Sequence, residues 1–149
     1  LFTVHALGGR RMIEAARAAI EGSPARMLAV TILTSHSDAE VRADLGLPED
    51  AADAVARLAR MAVESGAHGI VCSPREIALV RDAVGNGPLI VTPGVRPAWA
   101  RADDQRRVMT PGEAARAGAD MVVIGRPILE HAAPAQAAAM IQQELRDEQ

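Results

Sequence analysis

The residues of this chain equipped to hold a ligand fall just after short apolar runs. Thr34-Ser35-His36 follows Met27 to Leu33, Ser73-Pro74 follows Gly69 to Cys72, Thr92 to Pro97 follows the run from Leu89, and Gly125-Arg126-Pro127 follows Met121 to Ile124. Gly125-Arg126 has the parts of a phosphate site. Glycine lets a ligand approach the backbone, the next helix offers free amide donors, and arginine presents a fork that matches phosphate oxygens. The same pair also suits a tight turn followed by a solvated charge. Thr34 and Ser35 offer hydroxyls to a ligand, or to a helix cap or a turn.

Other chemistries have less to work with. His5, His36, His68 and His131 are scattered without metal-ligand spacing, so spacing defines no metal site. His36 reads as a solvated loop residue and His5 as a hydrogen-bonded residue at the mouth of a barrel. A lone cysteine, Cys72, excludes an internal disulfide and a cysteine-based zinc site and suits a reducing cytoplasm. Every one of the 16 basic residues is arginine, so lysine chemistry is absent from these 149 residues. The run from Arg96 to Thr110 contains Asp103-Asp104-Gln105-Arg106-Arg107. It is long for a strand-to-helix connection, which usually takes about 2 to 6 residues, and reads as a lid over a ligand. Taken singly, its charges suit a solvated surface.

The elements that must position these residues repeat one pattern, an apolar run followed by an alanine-rich amphipathic stretch. Leu1 to His5, Met27 to Leu33, Gly69 to Cys72, Leu89 to Thr92 and Met121 to Ile124 are the apolar runs, and most of them read as strands buried on both faces. Met12 to Ile20, Ala51 to Ser65, Pro74 to Val84, Pro111 to Ala117 and Pro134 to Leu145 read as helices. Pro74, Pro111 and Pro134 sit in first turns, and Gly66, Gly85 and Gly118 sit where helices stop. Strict alternation predicts right-handed crossovers and a parallel sheet. Five units in 149 residues take about 30 residues each, so a closed eight-unit barrel would need about 240, near the size typical of that fold. The expectation is an α/β chain, residues 1–149 forming one partial (β/α)8 TIM-barrel domain that lacks about three units at its front. An open doubly wound sheet of five strands also satisfies the alternation.

Composition removes several function classes. Hydrophobic residues make up 49% of the chain and charged residues 23%, which predicts a globular core. Aromatics make up 1%, Phe2 and Trp99 with no tyrosine, so there is no stacking platform for single-stranded nucleic acid. A net charge of −3 lacks the basic excess that phosphate backbones demand. No apolar run approaches the ~20 residues of a bilayer span.

Six blocks, taken together, resemble a known family. They are F-T-V-H-A-L-G-G (Phe2 to Gly9), A-V-T-I-L-T-S (Ala29 to Ser35), G-I-V-C-S-P-R-E (Gly69 to Glu76), V-T-P-G-V-R-P (Val91 to Pro97), D-Q-R-R-V-M-T-P (Asp104 to Pro111) and V-I-G-R-P-I (Val123 to Ile128). Their order and spacing are similar to those of bacterial-type orotidine 5'-phosphate decarboxylases. The resemblance implies a (β/α)8 barrel, a homodimer, and conversion of orotidine monophosphate to uridine monophosphate and carbon dioxide in pyrimidine synthesis. It implies that the chain begins at the fourth strand and covers strands 4 to 8. Thr34 then matches the hydroxyl that bonds the pyrimidine. Arg96 and Gln105 belong to the loop that closes on the nucleotide. Gly125 and Arg126 match the pair that binds the 5'-phosphate.

The implied mechanism uses no cofactor and no metal. Phosphate binding closes the loop, an acidic group destabilises the substrate carboxylate, and a lysine protonates the carbon left behind. In that family the acids and the lysine come from a D-x-K-x-x-D segment, which these residues do not contain, so no catalytic residue is assigned and the chain alone is expected to be inactive. Two other readings stay open. One is a non-catalytic phosphate- or nucleotide-binding fragment, or an assembly partner that completes its barrel with another chain. The other is a related phosphosugar barrel, such as a hexulose phosphate synthase or pentose phosphate epimerase, against which V-T-P-G-V-R-P and D-Q-R-R-V-M-T-P argue. A truncated barrel is also expected to leave apolar faces at Phe2, Val4, Met121 and Val123 uncovered.

Overall fold

In a computed structural model, residues 1–100 and 109–148 are described. The five expected strands form one sheet: β1 (Phe2–His5), β2 (Met27–Val30), β3 (Gly69–Val71), β4 (Leu89–Pro93) and β5 (Met121–Val123). All pairings are parallel and the order is β1-β2-β3-β4-β5. A doubly wound sheet reverses direction partway and places an early strand in its middle. Here each crossover moves on by one strand in the same direction, as in a barrel segment.

Local sequence explains the helices between them. In α1 (Gly9–Ala19) Ile13 is fully buried. The helix α3 (Ala51–Glu64) starts where the Asp50 carboxylate accepts the Asp53 amide at 3.0 Å. It buries Ala54, Val55, Leu58, Ala59 and Ala62, a stripe at helical spacing, and stops at Gly66 with φ 96°. Pro74–Glu76 is a 3₁₀ turn that leads into α4 (Ile77–Val84), which Gly85 ends at φ 73°. The helix α5 (Pro111–Arg116) carries a reciprocal cap: the Thr110 hydroxyl accepts the Glu113 amide at 3.1 Å and the Glu113 carboxylate accepts the Thr110 amide at 2.7 Å. The last helix, α7, spans Pro134–Arg146. Two short helices were not expected, α2 (Asp38–Ala43), capped by Ser37, and α6 (Arg126–Leu129).

Strand parity divides the sheet into two faces. Ala29, Ile70 and Ile90 lie side by side in register and are fully buried in one cluster with Ile13, Val55, Leu58, Ile77 and Val80 of the helices. The opposite parity carries Leu28, Gly69 and Leu89, then Val30, Val71 and Val91. A Cβ on Gly69 would lie 2.6 Å from the Leu89 carbonyl oxygen and 2.8 Å from a Leu28 methyl, so only glycine lets Leu28 and Leu89 close over β3. This face is covered in the middle, with Leu28 3% and Val91 5% exposed, and open at the β5 edge, where Met121 is 43% and Val123 55% exposed. Phe2 and Val4 depart from expectation. Their parity turns them toward the helix layer, where both pack against the core, and Thr3 and His5 take the open face of β1.

Candidate active site

Strands end where the sequence changes from β-branched to polar, and a cavity of about 340 Å³ opens there. His5, Val30, Val71 and Pro93, the last residues of β1 to β4, line it together with Ile32, Leu33, Thr34, Ser35 and Cys72. The carboxyl ends of parallel strands are where barrels keep their active sites, because the connecting loops vary there without disturbing the sheet.

Thr34 and Ser35 occupy the centre of a turn in which the His36 amide donates to the Leu33 carbonyl at 3.0 Å. Their hydroxyls make no hydrogen bond among the described residues, and the capping role falls to Ser37, whose hydroxyl accepts from Glu40. Thr34 therefore faces the cavity with its hydroxyl unused, beside His5. The His5 imidazole has no hydrogen-bond partner among the described residues, so its expected bond at the mouth is not made. Two neighbouring threonines are structural. Buried Thr31 donates to the Val71 carbonyl at 3.2 Å, and Thr92 donates to the Cys72 carbonyl at 2.7 Å.

Cys72 lines the cavity as a neutral thiol. Burial, with the Glu76 carboxylate nearby, pushes its pKa up to about 12, which removes thiolate chemistry at neutral pH. Burial also raises Glu76, whose carboxylate accepts the Ser73 amide at 2.9 Å. Among the described residues no three His, Cys, Asp or Glu side chains are grouped to hold a metal ion. None of their helices is long and apolar enough to cross a membrane.

Gly125 caps α6, and its carbonyl accepts the amides of Ile128 at 2.9 Å and Leu129 at 3.1 Å. Nothing lies within 4 Å of where a Cβ would stand, so the Gly125 backbone is open to an approaching group. Arg126 is exposed, and its guanidinium has no partner among the described residues. Arg96 is half-buried and lies apart from Thr34. With Trp99, Ala100, Pro127, Glu130 and His131 it lines a second cavity of about 240 Å³ against α6. The structure thus joins Thr34 to His5, and Arg96 to the turn that follows Arg126. Gln105 lies outside the described residues. Sequence reasoning missed the meeting of Trp99 with His131, which no spacing signal announces.

A ligand cavity at the carboxyl ends of parallel strands wound in one direction defines an α/β protein with a barrel-type site. Residues 1–141 match the model of the Orotidine 5'-phosphate decarboxylase / HUMPS family, and the chain belongs to that family. Among curated relatives, the orotidine 5'-phosphate decarboxylase of Gluconobacter oxydans is 49% identical over 97% of this chain and 64% of its own length. That of an Anaeromyxobacter species is 57% identical over 95% of this chain and 61% of its own length. The crystal structure of orotidine 5'-phosphate decarboxylase from Lactobacillus acidophilus superposes with a TM-score of 0.83 at 40% identity, covering 96% of this chain and 62% of that one. The chain spans less than two thirds of the length of these relatives.

Proposed function

We propose that the protein carrying this chain converts orotidine 5'-monophosphate to uridine 5'-monophosphate and carbon dioxide, and that this chain supplies strands 4 to 8 of its barrel. The observation that carries the proposal is the family match from residue 1 to 141 joined to a cavity at the strand carboxyl ends. The matched curated relatives are named as decarboxylases, which favours that activity over the phosphosugar branch.

Thr34 bonds the pyrimidine edge from the larger cavity. Arg126 grips the 5'-phosphate while the open Gly125 backbone admits it, and Arg96 with Gln105 completes the grip from the following loop. Binding energy gathered at the phosphate is spent at the reacting carboxylate, where closure excludes water. The proton for C6 comes from a lysine in a D-x-K-x-x-D segment outside these residues, which hold no lysine. No cofactor takes part, and the protein acts as a cytoplasmic homodimer.

Loss of orotidine monophosphate absorbance in the full-length protein tests the reading, beside this chain alone and this chain mixed with the three preceding units as a separate polypeptide. Turnover by the full-length protein and none by the chain alone is expected. Absence of turnover by the full-length protein overturns the proposed activity, and turnover by the chain alone overturns the placement of the proton donor.

A further inference from the structure

The segment after β4 and the turn between α6 and α7 meet through an aromatic contact that the binding roles above leave unused. Trp99, in the short turn Ala98–Ala100, packs edge-to-face on His131, with ring centroids 5.1 Å apart and planes at 73°. The His131 ring and the backbone around Trp99 are each held from behind. The His131 Nδ1 lies 3.0 Å from the Ala133 amide nitrogen and 3.1 Å from the Ala133 carbonyl oxygen, and the His131 amide donates to the Ile128 carbonyl at 3.3 Å. On the other side, the Ala100 amide donates to the Pro97 carbonyl at 3.0 Å. The Arg96 amide donates to the Met109 carbonyl at 2.9 Å, which fixes the backbone just before Trp99.

Each ring follows a cationic residue in its own segment. Arg96 is three residues before Trp99, and Arg126 opens the one-turn helix that ends just before His131. The cavity that Arg96 lines with Trp99 and His131 is also lined by Glu130, so its charge is mixed and it is a poor anion pocket in its own right. It is better suited to be a joint. We infer that Trp99 and His131 are positioning residues whose contact sets the separation between the Arg96 segment and the Gly125-Arg126 turn, so that two guanidinium groups from different loops converge on one phosphate. This inference rests on the phosphate role given to Gly125 and Arg126 above. A side-chain joint at this place fixes the grip before the ligand arrives, and preorganisation of that kind appears as affinity for the gripped group.

The test measures binding of uridine monophosphate and of uridine to the full-length protein by calorimetry, for Trp99→Ala, His131→Ala, their double variant, Trp99→Phe, His131→Phe and Arg126→Ala. Each single alanine variant is expected to weaken uridine monophosphate binding about three- to tenfold, the size of one edge-to-face contact, and to leave uridine binding unchanged. The double variant is expected to be no weaker than the worse single one, and the phenylalanine variants to recover most of the loss. Equal losses for uridine and its monophosphate, or additive losses in the double variant, overturn the joint. Wild-type monophosphate binding in both single alanine variants overturns it too, and leaves the phosphate reading standing if Arg126→Ala still weakens binding. Unchanged binding in Arg126→Ala overturns the phosphate reading and the joint with it.

Discussion

Arg81 on α4 and Asp120 before β5 form an ion pair at 2.6 Å that ties one helix to two strands. The guanidinium also donates to the Gly118 carbonyl at 2.8 Å and to the Pro88 carbonyl at 2.8 Å, and the Asp120 carboxylate accepts the Ile90 amide at 2.7 Å. This network sits where β4 and β5 begin, at the opposite end of the sheet from the cavities. Asp120→Ala leaves Arg81 short of its carboxylate and the Ile90 amide unpaired. The expected cost is about 1 to 3 kcal/mol in denaturant unfolding of the full-length protein, with uridine monophosphate affinity unchanged.

Gly69→Ala is expected to destabilise through overpacking. Its methyl meets a backbone oxygen and two leucine side chains, and the strands must separate to admit it, at about 1 to 3 kcal/mol. Unfolding midpoints for Gly69→Ala beside Gly87→Ala, a position with nothing within 4 Å, measure the difference.

His68 predicts a pH dependence. Burial, then the charges of Arg17 and Arg26, hold its pKa below 6.5, and Nδ1 accepts the Met27 amide at 3.1 Å. The unfolded chain takes up the proton first as pH falls, so the contribution is present above about pH 6.5 and is lost as pH drops through the lowered folded value. Unfolding midpoints between pH 7.5 and 5 should decline in the wild type and decline less in His68→Gln. Equal slopes would remove His68 as the cause.

Cys72 is expected to resist thiol reagents in the native protein at pH 8 and to react when unfolded, because it is buried and its pKa is raised to about 12. Rapid native labelling would contradict its burial.

Under the proposed function, Arg126→Ala is expected to cost about 1.5 to 3 kcal/mol of phosphate contact, seen in turnover as well as in apparent affinity, because that proposal spends phosphate binding energy on closure. Thr34→Ala is expected to be milder and to alter selectivity among base analogues. Steady-state kinetics of the full-length protein separate the two.

Much of this architecture was legible because the signals are local. Pro74, Pro111 and Gly66 mark helix ends by their own backbone constraints, and the apolar runs announce strands wherever both faces are buried. Strand limits were less accessible. The run Met27 to Leu33 yields a strand only to Val30, since the chain turns at Leu33 to His36 and buries Ile32 in the core. The helix α2 was missed although Ser37 and Glu40 spell a capping box, because six residues carry too little periodicity to register. Sheet order decides between one-way and doubly wound topologies, and it depends on contacts between distant residues. At the site, Thr34 and Gly125-Arg126 stood out by type and position, whereas the company Arg96 keeps with Trp99 and His131 is set by tertiary packing alone.

The sheet has two poles with different ties. At the start of the strands, His68 clasps Met27 and Arg81 clasps Asp120, while at the finish Thr34, Arg96 and Arg126 keep side chains uncommitted among the described residues. Mutational drift at one pole changes what fraction of molecules is folded, and at the other it changes what a folded molecule recognises. Apart from the bonded Thr31 and Thr92, loop residues at the finishing pole can therefore be exchanged for new specificities with little change in thermal resistance, which makes this five-stranded sheet a graftable chassis.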